Sequence, residues 1–465
     1  MAKSLDASLQ QLLAAVTDGR TENTRYRQNE LHRLHAGLKV QKETICEAIS
    51  KSASIPASDA EIEYVLAMDS INQLYMTLDF DESMKKEYLV TTGVNNTERR
   101  VGLGLVAVRP SKHSRFYSAV TPIAAAIAAG NCVLLEVENS AIDALLSSLL
   151  SSSLDQDTFY VSNTPLSDSQ LQQVNLRVNQ TSAISKNCKE LISTPTVRSV
   201  AVVDRIADIP LAVKSIVDAR LFSNGTSPYS PDLILVNNWT DEAFRKACLA
   251  YALSLASEKP RPTSDAQDEI EGKIKSAESN GQVKVYKSVP GLTLIEVLDR
   301  KCSILTEKIE GPYIMTLSST GLVDSVSFLR THASFLSAYH FSDAKSAKFL
   351  SEQISSSVSY INQIPTQLLV GPASPLENPH QIHPRYTPHM FSQPRPQIIE
   401  PTKAINMVVA DLKPTGQKPG HAVGFFEQGI LIGLGITACV VFPSVGYGVF
   451  RLGREAWRYA ALRRG

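Results

Sequence analysis

The first eighty residues repeat apolar and charged positions with the period of an α-helix. Between Thr24 and Ser50, apolar residues recur every three or four positions: Leu31, Leu34, Leu38, Val40, Ile45 and Ile49. This spacing places them on one face of a helix. Ser58 and Asp59 precede a second apolar-rich stretch and predict the start of another helix. The pattern therefore predicts a helical region over about residues 4–80.

After residue 100 the pattern changes to short, continuously apolar runs separated by helical stretches. VGLGLVAVRP, from Val101, predicts a buried strand, SAVTPIAAAIAAG a helix of small residues, and NCVLLEVE a second strand. A strand, a helix and a strand within about forty residues form a βαβ unit, which implies parallel strands and a right-handed crossover.

Further signals extend this arrangement along the chain. Residues 157–162 and 197–203 and the run DLILVN predict strands, and residues 209–222 predict a helix. Residues 371–399 contain seven prolines and are predicted to lack regular structure. Two doubly wound α/β halves are the most economical architecture for this order of elements.

An uncharged segment of 22 residues, Gly429 to Phe450, differs from the rest of the chain. As a helix it would be about 33 Å long, enough to cross the hydrocarbon core of a bilayer. The tail that follows has five arginines and Glu455, with Trp457 and Tyr459 as interfacial aromatic residues. A soluble core helix is the alternative, but the segment has no polar stripe, and Pro443 is better tolerated in membrane helices.

The position of this segment predicts where the protein resides. A membrane helix so close to the C-terminus inserts after translation, which leaves the bulk of the protein in the cytosol. A short basic tail is compatible with the endoplasmic reticulum, the mitochondrial outer membrane or the peroxisome, and the sequence does not distinguish them.

Charge and cysteine content exclude several classes of function. The 465 residues include 46 basic and 46 acidic side chains, so the formal net charge is zero, with no overall attraction for nucleic acid. The six cysteines are scattered, without a CxxC motif, which argues against a disulfide framework or a metal site and for a reducing compartment. The N-terminus lacks the apolar core of a signal peptide.

Several local phrases resemble the aldehyde dehydrogenase superfamily. PIAAAIAAGN (Pro122–Asn131) is similar to the phrase before the family's cofactor lysine, and SPDLILV resembles the segment after its nucleophile. EKIEGP (Glu307–Pro312) resembles the family's EEIFGP, and FSQPRP has a counterpart too. The resemblance extends over about residues 20–400 and is nearest to the shorter, membrane-tailed fatty aldehyde dehydrogenases. It implies an α/β fold with two doubly wound, Rossmann-like domains, an oligomerisation hairpin and a C-terminal membrane helix.

The resemblance also implies a division of the chain. We expect N-terminal helices with a degenerate dinucleotide-binding domain, a degenerate catalytic domain, a C-terminal arm and linker, a transmembrane helix and a basic tail, at residues 1–192, 193–400, 401–428, 429–450 and 451–465. The family builds its dimer sheet from a hairpin, expected here near residues 87–108, and from the strand after residue 396. A homo- or hetero-oligomer with a chain of the same fold is therefore expected.

The family's reaction needs groups that this sequence lacks at the matching positions. A thiolate attacks the aldehyde, a hydride passes to NAD(P), a glutamate activates water, and an asparagine and a backbone N–H stabilise the oxyanion. The nucleophile position matches Pro228, which has neither a thiol nor an N–H. The glutamate matches Thr194, and the asparagine matches His113. The resemblance, with these changes, implies that the inherited reaction is absent.

The matching cofactor positions are altered as well. The lysine that binds the adenosine ribose matches Glu136, the glutamate that binds the nicotinamide ribose matches Lys308, and the phenylalanine beside it matches Glu310. The glycine-containing phosphate segment has only NQTSAIS (Asn179–Ser185) as a counterpart, without glycine. We therefore expect no cofactor. NAD is the alternative, because a carboxylate at position 136 could accept hydrogen bonds from ribose hydroxyls.

Ser227 is the weak substitute for the missing nucleophile, with His113 as its base. The simpler interpretation is that Ser227 is a loop hydroxyl and His113 a surface residue. Two functions remain open. The first is a catalytically inactive, membrane-tethered scaffold or ligand-binding protein. The second is an NAD-dependent oxidoreductase acting on a long-chain or membrane-associated aldehyde with altered active-site residues.

Overall fold

The computed structural model describes residues 5–138, 140–181, 188–255, 265–287, 291–401, 411–414, 416 and 423–462. The chain forms two compact units, Met1–Pro401 and Thr402–Gly465.

Helices and strands are numbered in chain order. The helices of the first unit are α1 (Leu5–Asp18), α2 (Thr24–Val40), α3 (Lys42–Ala53), α4 (Ala57–Met76), α5 (Phe80–Glu87), α6 (Arg115–Ala128), α7 (Ala141–Ser153), α8 (Asp168–Leu171), α9 (Ile209–Leu221), α10 (Asp241–Ser254), α11 (Asp265–Ser279), α12 (Leu322–Arg330), α13 (Ala344–Gln353) and α14 (Thr366–Leu369). The strands are β1 (Arg100–Gly102), β2 (Leu105–Arg109), β3 (Cys132–Glu136), β4 (Phe159–Ser162), β5 (Leu176–Asn179), β6 (Glu190–Ile192), β7 (Ser199–Val203), β8 (Leu233–Asn237), β9 (Val283–Lys287), β10 (Thr293–Val297), β11 (Tyr313–Ser319), β12 (Ser337–Phe341), β13 (Ser359–Ile361) and β14 (Ser392–Pro394).

The helical N-terminal region predicted from the sequence is confirmed. The predicted apolar stripe on α2 and α3 is buried, with the exception of Val40, which is 82% exposed at the end of α2. The side chain of Asn23 caps α2 by accepting from the first-turn amides of Arg25 and Tyr26. The start of α4 differs from the prediction by two residues, because Pro56 is its N-cap and Ser58 lies in its first turn.

The smaller sheet has five parallel strands in the order β4-β3-β2-β5-β6. Strands β2 and β3, joined by α6, are the βαβ unit that the sequence predicts. The side chains of α6 after its first residue are all buried, since its run of alanines lets it pack closely against α4 as well as against this sheet.

The larger sheet has seven strands in the order β13-β12-β7-β8-β11-β10-β9, parallel except for β9 against β10. On β8, Ile234 and Val236 pack into one hydrophobic core while Leu233 and Leu235 pack into another. A strand with apolar residues on both faces is covered on both faces, as in a doubly wound sheet. The segment that contains Pro228 leads directly into β8.

The hairpin expected near residues 87–108 is replaced by a sheet between distant segments. Strand β1 pairs antiparallel with β14, and the bridge between Asn96 and Gln397 extends the contact. Gly104, at φ 118°, turns the chain after β1, and β2 joins the five-stranded sheet, where four of its five residues are buried. The strand β14 also shows that the proline-rich stretch 371–399 contains regular structure, contrary to the prediction.

The second unit is described mainly by one helix, α15 (Phe425–Leu462), which includes the predicted membrane segment. Within the described residues, Glu427–Arg458 is the helical stretch long and apolar enough to cross a membrane. Its apolar side chains are exposed in the protein alone, Phe442 at 75% for example. The side chain of Tyr459 and the arginines at 463 and 464 lie outside what the structure describes.

Candidate functional site

The segment before Pro228 has an unusual backbone. Ser223, Asn224 and Gly225 have φ values of 45°, 55° and 68°, three successive residues in the left-handed region. Asp59 accepts a hydrogen bond from the Ser223 amide at 2.9 Å, which ties the segment to α4. A Cβ on Gly225 would lie 2.2 Å from the carbonyl oxygen of Gly311, so this position requires glycine. The segment therefore lies directly against the EKIEGP loop.

Pro228, which the sequence analysis matches to the family's nucleophile, is buried. Its carbonyl oxygen accepts hydrogen bonds from the Lys308 ammonium at 2.7 Å and from the Ser199 hydroxyl at 3.0 Å. Proline supplies no N–H and no nucleophilic atom at this point. The local contacts therefore bind the peptide carbonyl of residue 228 and leave no reactive side chain there.

Lys308 belongs to a buried ion-pair network centred on Asp232. The Asp232 carboxylate, 1% exposed, accepts from the Lys308 ammonium at 2.8 Å and from the backbone amides of Ser199 and Ile309 at 2.7 and 3.0 Å. The guanidinium of Arg220, fully buried, lies 3.6 Å from the same carboxylate. Burial lowers the pKa of Lys308, and the charge of Asp232 opposes this. The ammonium of Lys308 thus donates hydrogen bonds to two groups of the protein, the Pro228 carbonyl and the Asp232 carboxylate.

Glu310 lies beside this network and is half-buried. Its negative charge favours the protonated forms of both Arg220 and Lys308. Glu310 therefore adds a second negative charge near the two cations, after that of Asp232.

Ser227 and His113 share one acceptor and are not hydrogen-bonded to each other. The Ser227 hydroxyl donates to the carbonyl oxygen of Leu369 at 2.7 Å, and Nε2 of His113 lies 2.8 Å from the same oxygen. Nδ1 of His113 lies 3.0 Å from the hydroxyl of Thr226. Burial lowers the pKa of His113 to about 4, so the ring is neutral near pH 7. An Nε2–H that donates to a carbonyl has no lone pair for the serine proton.

The structure agrees with the simpler interpretation of Ser227 but not with that of His113. Ser227 is a buried loop hydroxyl bonded to the backbone, in agreement with the simpler interpretation of this residue. His113 is half-buried with both ring nitrogens in hydrogen-bond contact, so the expectation of a surface histidine is wrong. The burial of His113 was hard to predict from the sequence, because the flanking Lys112 and Arg115 favoured a solvated loop.

The other candidate groups offer no replacement chemistry at their described positions. Thr194 is half-buried in a turn, where its carbonyl accepts from the Val197 amide at 3.2 Å, and its hydroxyl cannot act as a carboxylate base. The six cysteines are free thiols. Burial raises the pKa of Cys188 and Cys248, so both stay protonated near neutral pH, which is typical of packed thiols. Within the described ranges, no cluster of side chains could hold a metal ion.

Glu136 ends β3 and is bound by an arginine of the same sheet. Its carboxylate oxygens lie 3.1 and 3.3 Å from Nη2 of Arg177, and only 4% of the residue is exposed. Arg177 also lies 3.6 Å from Glu190 on β6. Burial raises the pKa of Glu136, and the arginine opposes this. The carboxylate that could have accepted ribose hydroxyls is therefore occupied.

The positions predicted to match the family's cofactor-binding residues make contacts within the protein. Glu136 and Lys308 both face partners inside the protein, and Glu310 faces the same cations as Asp232. Of the phosphate phrase Asn179–Ser185, residues 182–185 lie outside the described part of the chain. The side chains that the structure does describe thus present no ribose-binding group to a nucleotide at the two matching positions.

A cleft of about 520 Å³ lies next to the Pro228 segment and reaches its neighbour Leu369. Its lining is of mixed polarity, and its apolar part includes Ile62, Leu221, Phe222, Leu292, Ile364 and Leu369. Asp59 and the ion pair between Lys214 and Asp218 also line it. The volume falls within the range of small-molecule sites.

Glu63 is a buried carboxylate that sequence reasoning missed. It is 2% exposed on α4 and accepts a hydrogen bond from the Tyr117 amide at 3.1 Å, in the first turn of α6. Burial raises its pKa from 4.5 to about 7, while the backbone amides of Tyr117 and Phe116 oppose the shift. The sequence could have indicated this, because Glu63 lies on α4 at a position where the helical period places buried residues. Glu63 on α4 thus accepts from a first-turn amide of α6 and acts as an N-terminal cap for that helix.

The raised pKa of Glu63 predicts a pH-dependent stability. The unfolded chain loses this proton first, so the contribution of Glu63 is intact below about pH 4.5 and is lost as the pH rises toward about 7. We expect Glu63→Gln to raise the free energy of unfolding by about 1–3 kcal/mol at about pH 8 and to have little effect at about pH 4. Urea unfolding at both pH values measures this. Glu43→Gln, at an exposed position, is the control, and an equal effect of Glu63→Gln at both pH values would contradict the prediction.

Known proteins with related sequences are aldehyde dehydrogenases. The chain is 29% identical over 164 residues to aldehyde dehydrogenase family 3 member B1 of Mus musculus, an alignment that spans 34% of this chain and 35% of the mouse protein. It is 23% identical over 368 residues to the protein of the same name from Rattus norvegicus, which spans 73% of this chain and 78% of the rat protein. No family model matches the chain.

Solved structures of related fold come from the same group. The substrate-bound AldH of Staphylococcus aureus has a TM-score of 0.70 at 16% identity, covering 87% of this chain and 96% of that one. The NAD-dependent benzaldehyde dehydrogenase of Corynebacterium glutamicum has a TM-score of 0.66 at 16% identity, covering 84% and 87%. Such identities indicate a shared fold. With two α/β sheets arranged as described and sequence relatives of the same group, the chain is a divergent member of the aldehyde dehydrogenase superfamily.

Proposed function

We propose that this protein is a catalytically inactive aldehyde dehydrogenase-like chain that is tethered to a membrane and binds a partner or an apolar ligand. The observation that carries the proposal is the buried Pro228 at the nucleophile position, with its carbonyl bound by Lys308 and Ser199. The family reaction begins with covalent attack on a carbonyl carbon, and proline has no atom for it.

The neighbouring groups support the same conclusion. The hydroxyl of Ser227 and the ring of His113 are both directed at the Leu369 carbonyl, and Thr194 replaces the base. Loss of a nucleophile and a base together removes several orders of magnitude in rate. What the fold retains is its packing, and a fold can be kept for binding after its chemistry is lost.

The cleft that Leu369 lines supports a ligand-binding role. Its lining combines apolar side chains with polar and charged ones in about equal area, and Leu369 belongs both to the cleft and to the hydrogen bonds that close the Pro228 segment. A protein held at a membrane by α15 would meet long-chain apolar molecules there. A second chain of the same fold is the protein partner that we propose, through the sheet of β1 and β14. The bulk of the protein would then face the cytosol.

The alternative function is an NAD-dependent oxidoreductase acting on a long-chain or membrane-associated aldehyde. The names of the relatives favour it, since one of the solved structures is an NAD-dependent benzaldehyde dehydrogenase. It requires a nucleophile at a position other than 228 and a cofactor-binding site that does not use Glu136 or Lys308.

The test compares the full chain and its Pro228→Cys variant in detergent. With a saturated long-chain aldehyde and NAD or NADP, we expect no reduced cofactor above the buffer rate from either protein. The restored thiol still lacks a base, because Thr194 cannot activate water. We also expect both proteins to bind NAD no tighter than millimolar by calorimetry, since Glu136 and Lys308 are bound internally.

The double variant Pro228→Cys with Thr194→Glu separates the missing nucleophile from the missing base. If it stays inactive and NAD binding stays weak, the cofactor site is lost as well. Turnover by the wild type or by Pro228→Cys alone, or micromolar binding of NAD, would overturn the proposal in favour of the oxidoreductase.

A further inference from the structure

Helix α15 continues past its apolar segment into a charged end. The described side chains after Phe450 include Arg451, Arg454, Glu455, Trp457 and Arg458, and all of them are exposed. Trp457 is 78% exposed. Because the helix is unbroken to Leu462, the spacing of these residues fixes which of them share a face.

The three arginines share one face of the helix. Positions 451, 454 and 458 are separated by three and four residues, which places them within about 60° of each other around the axis. Tyr447 lies one turn earlier on the same face, and the guanidinium carbon of Arg451 is 6.0 Å from the centre of its ring. Glu455 lies 3.4 Å from Arg458 and offsets one of the three charges. We call Tyr447, Arg451, Arg454 and Arg458 the arginine face.

The arginine face begins at the depth of the headgroup layer of a membrane. Arg451 follows directly after the uncharged segment, and Arg458 lies about 10 Å further along the axis. The polar layer on each side of a bilayer is about 5–8 Å thick beyond the hydrocarbon core. If the apolar segment fills the core, the guanidinium groups begin at the headgroups, and the tyrosine stands at the boundary.

We infer that the arginine face binds the phosphate-bearing headgroups of anionic phospholipids in the leaflet where the apolar segment ends. This inference rests on the proposed membrane tether. Charge complementarity favours it, because guanidinium groups pair with phosphate oxygens in a bidentate manner and clustered basic residues beside a membrane helix attract anionic lipids. An acidic protein surface is less suited, since a partner would have to reach arginines that start at the membrane boundary.

The test uses Trp457 as a reporter beside the arginine face. The chain has two tryptophans, so Trp239→Phe leaves Trp457 alone. The full-length Trp239→Phe protein is reconstituted into vesicles of phosphatidylcholine with a minor fraction of phosphatidylserine, and either lipid carries brominated acyl chains that quench tryptophan. We expect brominated phosphatidylserine to quench Trp457 about threefold more than its mole fraction predicts, and less in high salt.

Two further variants identify the residues responsible. Arg451→Gln, Arg454→Gln and Arg458→Gln together are expected to reduce the quenching by phosphatidylserine to its mole fraction. The control is Lys112→Gln with Arg205→Gln and Arg395→Gln, which removes the same charge from exposed positions of the first unit and should leave the preference unchanged. A preference that survives the triple change in α15, or that never exceeds the mole fraction, overturns the inference while the tether stands. Absence of quenching by both brominated lipids overturns the tether itself.

Discussion

Asp232→Ala is expected to lower the free energy of unfolding by about 3–5 kcal/mol, the range for breaking a buried ion pair by removing one partner. The carboxylate of Asp232 receives Lys308, two backbone amides and the charge of Arg220, and none of these groups reaches water easily. Its removal leaves the two cations without their shared carboxylate, although each keeps a backbone carbonyl acceptor, and leaves the two backbone amides without an acceptor. Denaturant unfolding of the full chain in detergent, followed by fluorescence, measures the loss.

Two further variants calibrate this result. Lys308→Met removes one cation and leaves Asp232 with Arg220 and the two amides, so we expect a smaller loss than for Asp232→Ala. Glu242→Ala removes half of a fully exposed ion pair with Lys246 on α10 and is expected to cause a much smaller loss than Asp232→Ala, because solvent screens such a pair. Equal stability of Asp232→Ala and Glu242→Ala would show that the network around Pro228 contributes little to the fold.

Deleting residues 429–465 is expected to move the protein from the membrane fraction to the soluble fraction after alkaline extraction. The removed helix exposes its apolar side chains along its whole described length, including Leu434 at 62% and Phe442 at 75%, and a hydrocarbon core is the environment that suits them. Sedimentation of expressed protein, with detection by an N-terminal tag, distinguishes the two fractions.

The matched control removes only residues 451–465. It keeps the uncharged segment and is expected to stay in the membrane fraction, because the apolar helix supplies most of the insertion energy. Continued sedimentation of the longer deletion with alkali-washed membranes would refute α15 as the anchor. Release of the control would mean that the basic tail is required for insertion.

The elements that the sequence predicted best are those whose apolar pattern is local. The strands β2, β3, β4, β7 and β8 and the helices of the first eighty residues follow directly from runs and periodicity. The partner of β1 could not be predicted, because a strand of three residues carries no information about a segment near residue 393. Short edge strands such as β6 and β13 are fixed by the neighbours they pair with and not by their own composition.

The candidate positions were predicted from the sequence, whereas their contacts were not. Pro228, Thr194 and His113 could be identified from phrases of the sequence alone. The roles of Asp232 and Arg220 depend on contacts between α9, β8 and the EKIEGP loop, which are distant in sequence. Likewise, the hydrogen bonding of the His113 ring depends on the carbonyl oxygen of Leu369. The position of this backbone atom cannot be predicted from the pattern of side chains.

The bond between the Lys308 ammonium and the carbonyl of residue 228 makes the two positions energetically interdependent. A substitution at 228 that rotates this peptide leaves an ammonium without one of its acceptors, while a substitution at 308 alone leaves Asp232 undercompensated. Epistasis between them is therefore built into the geometry. A double-mutant cycle at positions 228 and 308 is therefore expected to show non-additive changes in stability.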